Sequence, residues 1–137
     1  MFDPLSLLLE AGKTILKLFG KVQIKNATRK EKVADYFNEI AKTINDAAQV
    51  FKKDEIPHGS CAKMEHLAKL LPESIEDFIG KQKAKELQDM LLQAYHIETI
   101  MYRIPKKDKK ERDANVAKME QAAGYFEATA ISLRASG

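Results

Sequence analysis

The chain has 137 residues, a net charge of +3, a single cysteine and no tryptophan. That length is one domain, enough to bury roughly two-thirds of the surface the unfolded chain exposes. One cysteine excludes an intrachain disulfide and suits a cytoplasmic protein. The hydrophobic (45%) and charged (31%) fractions are those of a folded globular chain, and a modest positive charge without a groove-reading motif argues against nucleic acid as a partner.

Charge is unevenly placed. Residues 1–32 carry seven basic and three acidic groups, and the remainder is close to neutral. Leu, Ala, Lys, Glu and Ile dominate, whereas Gly (6) and Pro (4) are few, so helices are favoured over strands. The start, MFDP, lacks the basic n-region of a signal peptide. The longest uncharged run of this start, Pro4 to Leu9, falls far short of the roughly 20 residues a membrane span needs.

The first helix is predicted over about residues 4–22, with Asp3 as N-cap and Pro4 at the first helical position. At 100° per residue, Ser6, Glu10, Lys13, Thr14, Lys17 and Lys21 fall within an arc of about 100°. Every other position from Leu5 to Val22 is apolar or Gly, an arc of more than about 200° where a surface helix needs about 100°. Two readings fit: a central helix buried on most sides and showing only its lysine stripe, or an interfacial helix whose lysines meet an anionic leaflet. Gly12 and Gly20 lower the intrinsic stability of the helix, which suits a segment that repacks.

The second helix is predicted over 29–53, with Thr28 and Glu31 at capping-box spacing. Its apolar face is Val33, Phe37, Ile40, Ala41, Ile44, Ala48 and Phe51. KDEIPHGS is a turn. A third helix begins near a Ser60 cap, points Cys61, Met64, Leu67, Ala68 and Leu71 inward, and stops at Pro72. Ser74 to Ile79 forms a short extra helix ended by Gly80. The fourth long element is predicted over 81–103, with the stripe Ala84, Leu87, Leu91, Ala94, Ile97 and Met101, closed by Pro105. The last runs over 113–134 with Val116, Met119, Ala123, Phe126, Ala130 and Leu133 on one face. No segment alternates like a strand and no fixed repeat occurs. The fold class is therefore all-α: one domain over 1–137, an antiparallel bundle of four to five helices in which a hydrophobic helix over 1–22 precedes the rest over 28–134.

Chemistry-bearing residues are sparse. His58, Cys61, Glu65 and His66 fall within nine residues, but no CxxC or HxxxH pair is present and zinc needs four converging ligands. Cys61 opens a helix, where the dipole favours a thiolate, yet it lies on an apolar stripe, where a free cysteine packs. His96, beside Tyr95, reads as a boundary residue. Glu73, Glu76 and Asp77 read as helix-start charges. GxxxxGK[ST], GxGxxG and HExxH are absent from the sequence. No catalytic residue, cofactor or metal is expected, so the chain is not read as an enzyme. Lys106, Lys107, Lys109, Lys110 and Arg112 form a second basic cluster, either a solvated loop or a contact with acidic headgroups or an acidic partner.

A hydrophobic amphipathic helix, MFDPLSLLLEAGKTILKLFG, followed by RKEKVADYFNEIAKTINDAAQVF and a compact helical remainder, resembles the HeLo and HeLo-like cell-death domains over residues 1–134. It is also similar to the bacterial Bell domains and to the N-terminal four-helix bundle of mixed lineage kinase domain-like proteins. The resemblance implies a bundle that targets and permeabilises membranes in regulated cell death or bacterial immunity, cytoplasmic at rest and at the inner face of the plasma membrane when active. It implies Leu5, Leu8, Leu9, Ile15, Leu16 and Phe19 as membrane-inserting groups and Lys13, Lys17 and Lys21 as headgroup contacts. Its partners would be anionic membrane lipids, further copies of the chain on activation, and an upstream sensor protein. Residues 1–137 carry neither the amyloid-type signalling motif nor the attached sensor common in such families. The alternative from the residues is a non-lytic helical adaptor of a signalling or immune system.

Overall fold

A computed structural model describes residues 4–93 and 109–135. Every regular element among them is a helix: α1 (Pro4–Phe19), α2 (Ala27–Lys52), α3 (His58–Lys69), α4 (Leu71–Ile79), α5 (Lys81–Leu92) and α6 (Lys109–Ala135). The all-α bundle expected from the sequence is the observed fold. Asp3, the Ala94–Ile97–Met101 part of the predicted stripe, His96, Pro105, Lys106 and Lys107 lie outside the described residues.

The two longest helices, α2 and α6, lie along one another. Their direction follows from which ends meet. Arg134, in the last turn of α6, pairs with Glu31 and Asp35 near the start of α2. At the other end Lys52 pairs with Glu120 (3.2 Å), and Arg112 with Asp54 (3.4 Å). The helices are therefore antiparallel. The arrangement also sets acidic groups near the α2 N-terminus and Arg134 near the α6 C-terminus, as the helix macrodipoles favour.

α1 packs along α6 and reaches α5. Leu8 borders Ile44 and Ala47 of α2, and Phe19 meets Phe37 one end further along (ring centroids 5.1 Å). As α1 advances α2 retreats, so these two are antiparallel as well. Gly12 permits the close approach to α6, since a Cβ there would lie 3.1 Å from Tyr125 Cβ and 3.3 Å from the Ala122 carbonyl oxygen. The core is continuous across the bundle: Leu5, Leu8, Ile15 and Phe19 of α1, Phe37, Ile40, Ile44 and Phe51 of α2, and Phe126 and Leu133 of α6 are buried. Each such side chain contributes roughly 1.5–3 kcal/mol through burial. Among the described residues the two buried polar ones, Thr43 and Thr129, bond back to the carbonyls of Glu39 and Tyr125 four residues earlier, so neither hydroxyl is left unpaired.

Several boundaries differ from the sequence expectation. α2 starts two residues early because Asn26, not Thr28, caps it: its side chain accepts from the Arg29 N–H (2.9 Å). α3 starts at His58 and has no side-chain cap, so Ser60 sits inside its first turn. The short helix begins at Leu71, with Pro72 in its first turn, where the missing N–H costs nothing. The described residues hold six helices, the short extra helix expected over 74–79 among them. Gly80 joins α4 to α5 at φ +89°, left-handed backbone that suits glycine alone at little cost. Lys109, Lys110 and Arg112 of the basic stretch fall in the first turn of α6 as described.

Candidate membrane-contact surface on the first helix

α1 spans sixteen residues and its wheel divides into three zones. Leu5, Leu8, Ala11, Gly12, Ile15 and Phe19 are buried. They occupy about 120° facing α2, α5 and α6. Ser6, Glu10, Lys13 and Lys17 are exposed on the opposite side. Between them, on both flanks, lie half-buried leucines: Leu9 and Leu16 on one side, Leu7 and Leu18 on the other. The apolar arc read from the sequence therefore has a buried centre and two half-exposed margins that border the lysines.

The sequence-predicted residues separate accordingly. Four of the six insertion candidates, Leu5, Leu8, Ile15 and Phe19, are core residues in this state, at most 1% exposed. Leu9 and Leu16 belong to the margin. Lys13 and Lys17 line the exposed stripe. Lys21 is exposed too, but beyond the helix: α1 ends at Phe19 rather than near residue 22, where the Gly20 N–H closes onto Leu16 (2.9 Å) and the Val22 N–H onto Phe19 (3.3 Å). The chain leaves the helical register there, so the three lysines are not one continuous helical row.

Among the described residues Lys13, Lys17 and Lys21 enter no ion pair. Some cations elsewhere are matched, Lys63 with Glu39 (2.6 Å), Lys69 with Glu65 (3.3 Å) and Lys83 with Glu86 (3.5 Å), whereas Lys25, Lys32, Lys42 and Lys85 are exposed and, among the described residues, enter no ion pair either. Glu10 is the one acidic residue in α1. The face thus presents net positive charge bordered by apolar surface, the distribution an interfacial helix carries.

The other candidates resolve into structural roles. Cys61 is buried and lines, with Leu8, Thr43, Ile44, Ser60 and Met64, a crevice of about 10 Å³, no larger than one water. His58 and His66 are exposed, and Glu65 turns to Lys69. No group of three His, Cys, Asp or Glu among the described residues converges as metal ligands would. Asp77 is not merely a helix-start charge: it accepts from Arg29 across the fold (2.8 Å). In the second basic cluster Lys109 and Lys110 are exposed, while Arg112 reaches Asp54. Among the described residues no helix is long and apolar enough to cross a membrane.

Three features were not singled out from the sequence. Leu7 and Leu18 carry the second margin, and their wheel positions beside Thr14 were a usable signal. Gly12 is a close-packing residue, not only a weak point in the helix. The third is the tie from Arg29 to α4, for which a pairing over 48 residues leaves no local signature. No protein-family model, curated protein or solved structure gives a significant match to the chain.

Proposed function

We propose that this chain is a membrane-targeting, membrane-permeabilising helical bundle, an effector of regulated cell death or of bacterial immunity. The observation that carries the reading is the surface of α1: unpaired lysines flanked on both sides by half-buried leucines, above a helix that is otherwise apolar. In the resting state the bundle hides Leu5, Leu8, Ile15 and Phe19. On activation α1 leaves its seat, and these side chains with Leu9 and Leu16 enter the acyl boundary while Lys13, Lys17 and Lys21 meet anionic headgroups. Sixteen helical residues reach only about 24 Å, short of the roughly 30 Å hydrocarbon core. Single copies therefore lie in the plane of the interface, and permeabilisation follows from several copies gathering and thinning one leaflet. The role needs no catalytic group and no cofactor. It places the chain in the cytoplasm at rest and on the inner face of the plasma membrane when active, downstream of a sensor protein.

Dye-filled liposomes with and without anionic lipid test the proposal. Wild-type protein should bind and empty the anionic vesicles preferentially. Changing Lys13, Lys17 and Lys21 together to Glu should leave the helical circular dichroism signal intact and weaken binding by about 1 kcal/mol per lost contact, plus the new repulsion. A triple variant that binds as well as wild type removes the lysines from the mechanism. Wild-type protein that binds no vesicle in any oligomeric form replaces the effector with a non-lytic adaptor.

A further inference from the structure

The C-terminal end of α1 is covered by a small cluster drawn from three other places in the chain. Phe19 sits edge-on to Phe37 of α2 and to Phe78 of α4, with ring centroids 5.1 and 6.2 Å away. Phe78 in turn lies under the guanidinium of Arg29, whose Cζ is 5.2 Å from the ring centre. The same guanidinium donates through Nη2 to the Ser74 carbonyl oxygen (2.6 Å) and to Asp77 Oδ1 (2.8 Å). Arg29 belongs to the first turn of α2, so one side chain ties α4 to α2 by three contacts.

α4 has little else to hold this end down. It is nine residues long, and its fully buried side chains are Leu71 and Ile75. Phe78 and Ile79 are only partly buried against the core. Gly80 follows at once, in a left-handed conformation that gives the α4–α5 joint a glycine pivot. A short helix with a pivot at one end and a charge-assisted tie near it has the parts of a clasp.

We infer that α4 is a clasp over the end of α1, fastened by Arg29, and that its opening frees α1 without unfolding α2 and α6. The inference rests on the proposed function for its purpose, since α1 must leave its seat for the lysine face to act with the apolar one. It stands on its own for its mechanics. When Arg29 lets go, Phe78 loses the cation above its ring and Phe19 loses one of its two aromatic neighbours. The apolar end of α1 then meets water, and α1 opens from its C-terminal end.

Native-state hydrogen exchange on the full chain, without lipid, tests the clasp separately from any membrane role. In Arg29→Ala the amides of α1 and α4 should exchange about three- to ten-fold faster, while those of the α2–α6 pair keep wild-type rates, as expected for a local opening rather than a global one. Phe78→Leu retains an apolar side chain without the ring and should accelerate the same two helices. Equal acceleration in all helices, or none in α1, overturns the clasp. Liposome leakage by the same variants is the second arm: faster α1 exchange with raised leakage supports both ideas. Faster α1 exchange in protein that never engages vesicles keeps the clasp and removes the membrane reading.

Discussion

The seam between α2 and α6 is pinned by charge at both ends, whereas α1 is seated on the same core by apolar contact and shape. Arg134 with Glu31 and Asp35 closes one end of the seam, and Lys52 with Glu120 and Arg112 with Asp54 close the other. From Leu7 to Phe19, by contrast, no α1 side chain makes a hydrogen bond or ion pair to another helix among the described residues. The largely exposed pairs of Arg134 and Lys52 contribute little energy each, about 0–1 kcal/mol, but together with the part-buried Arg112–Asp54 pair they select one direction and one register. The α1 dock supplies far more burial and selects nothing by charge. An apolar seat of this kind can be exchanged for another apolar medium without stranding a buried polar group, the costly event in most rearrangements. Separating α2 from α6 would break both kinds of contact together.

The contrast is broken most strongly at Phe19. Phe19→Ala removes a ring 1% exposed that bridges α2 and α4. It should cost about 3–5 kcal/mol in urea unfolding. The loss should appear first as exposure of α1, before the α2–α6 seam melts. Gly12→Val comes next. Its added carbons meet the Ala122 carbonyl oxygen and Tyr125 Cβ, which are backbone and the stem of a side chain and cannot rotate aside. The expected cost is about 1–3 kcal/mol from overpacking, reduced by the better helix propensity of valine over glycine. A stabilised Gly12→Val protein would mean that α1 sits further from α6 than the packing described here.

Much of this architecture was legible in the sequence, because burial at a 3.6-residue period leaves a direct signature. The stripes Val33–Phe37–Ile40–Ile44–Phe51 and Val116–Met119–Phe126–Leu133 were readable and are buried. Helix ends were less so. Asn26 and Thr28 are both of a type that caps helices, and the Thr28–Glu31 spacing drew the boundary two residues late, whereas Asn26 accepts from the Arg29 N–H. The α1 end was misplaced because Lys21 and Val22 continue the wheel pattern although the backbone has already turned. On the candidate surface the lysines and the apolar arc were readable from residues alone. Which part of that arc is buried was not, since it depends on where α5 and α6 lie. The Arg29 tie and the role of Gly12 are relations between distant segments, and a local pattern carries no trace of them.

Tyr36 offers a smaller and more selective break, on the α2–α3 side. Its hydroxyl donates to the Leu67 carbonyl oxygen, which also accepts from the Leu70 N–H. Tyr36→Phe should therefore cost about 1 kcal/mol, because the carbonyl keeps one partner. Burial raises the phenol above its ordinary value. The folded state holds the proton where the unfolded chain releases it, so this contribution is complete below about pH 10 and declines as pH rises further. Wild-type stability should fall across that alkaline range, and the slope should be shallower in Tyr36→Phe.

The smallest effect is expected at the pin between α2 and α3, where Lys63 donates to Glu39 across 2.6 Å. The hydrogen bond from Lys63 is the main cause that holds the Glu39 carboxyl below its ordinary value, helped by the charges of Lys63 and Lys42. A depressed carboxylate stabilises the fold above its unfolded value, about 4.3, and that contribution fades as pH falls through the lower folded value. Both side chains are more than 40% exposed, so screening keeps the contribution to about 0.5 kcal/mol or less. Glu39→Gln should thus lower stability slightly at pH 7, and the difference from wild type should vanish in strong acid. It should also shrink in 1 M salt, where the Debye length is only about 3 Å. Neither treatment weakens apolar burial, so acid and salt should loosen the charged pins, the Arg29–Asp77 tie of α4 among them, and any opening of α1 should be confined to its C-terminal end beside Phe19 while its dock on α6 stays intact. Should mild acid or salt instead release the whole of α1, its Leu5–Leu8 end included, ahead of the other helices, a charged contact must secure the dock itself, and the division between an apolar dock and a charge-pinned seam fails.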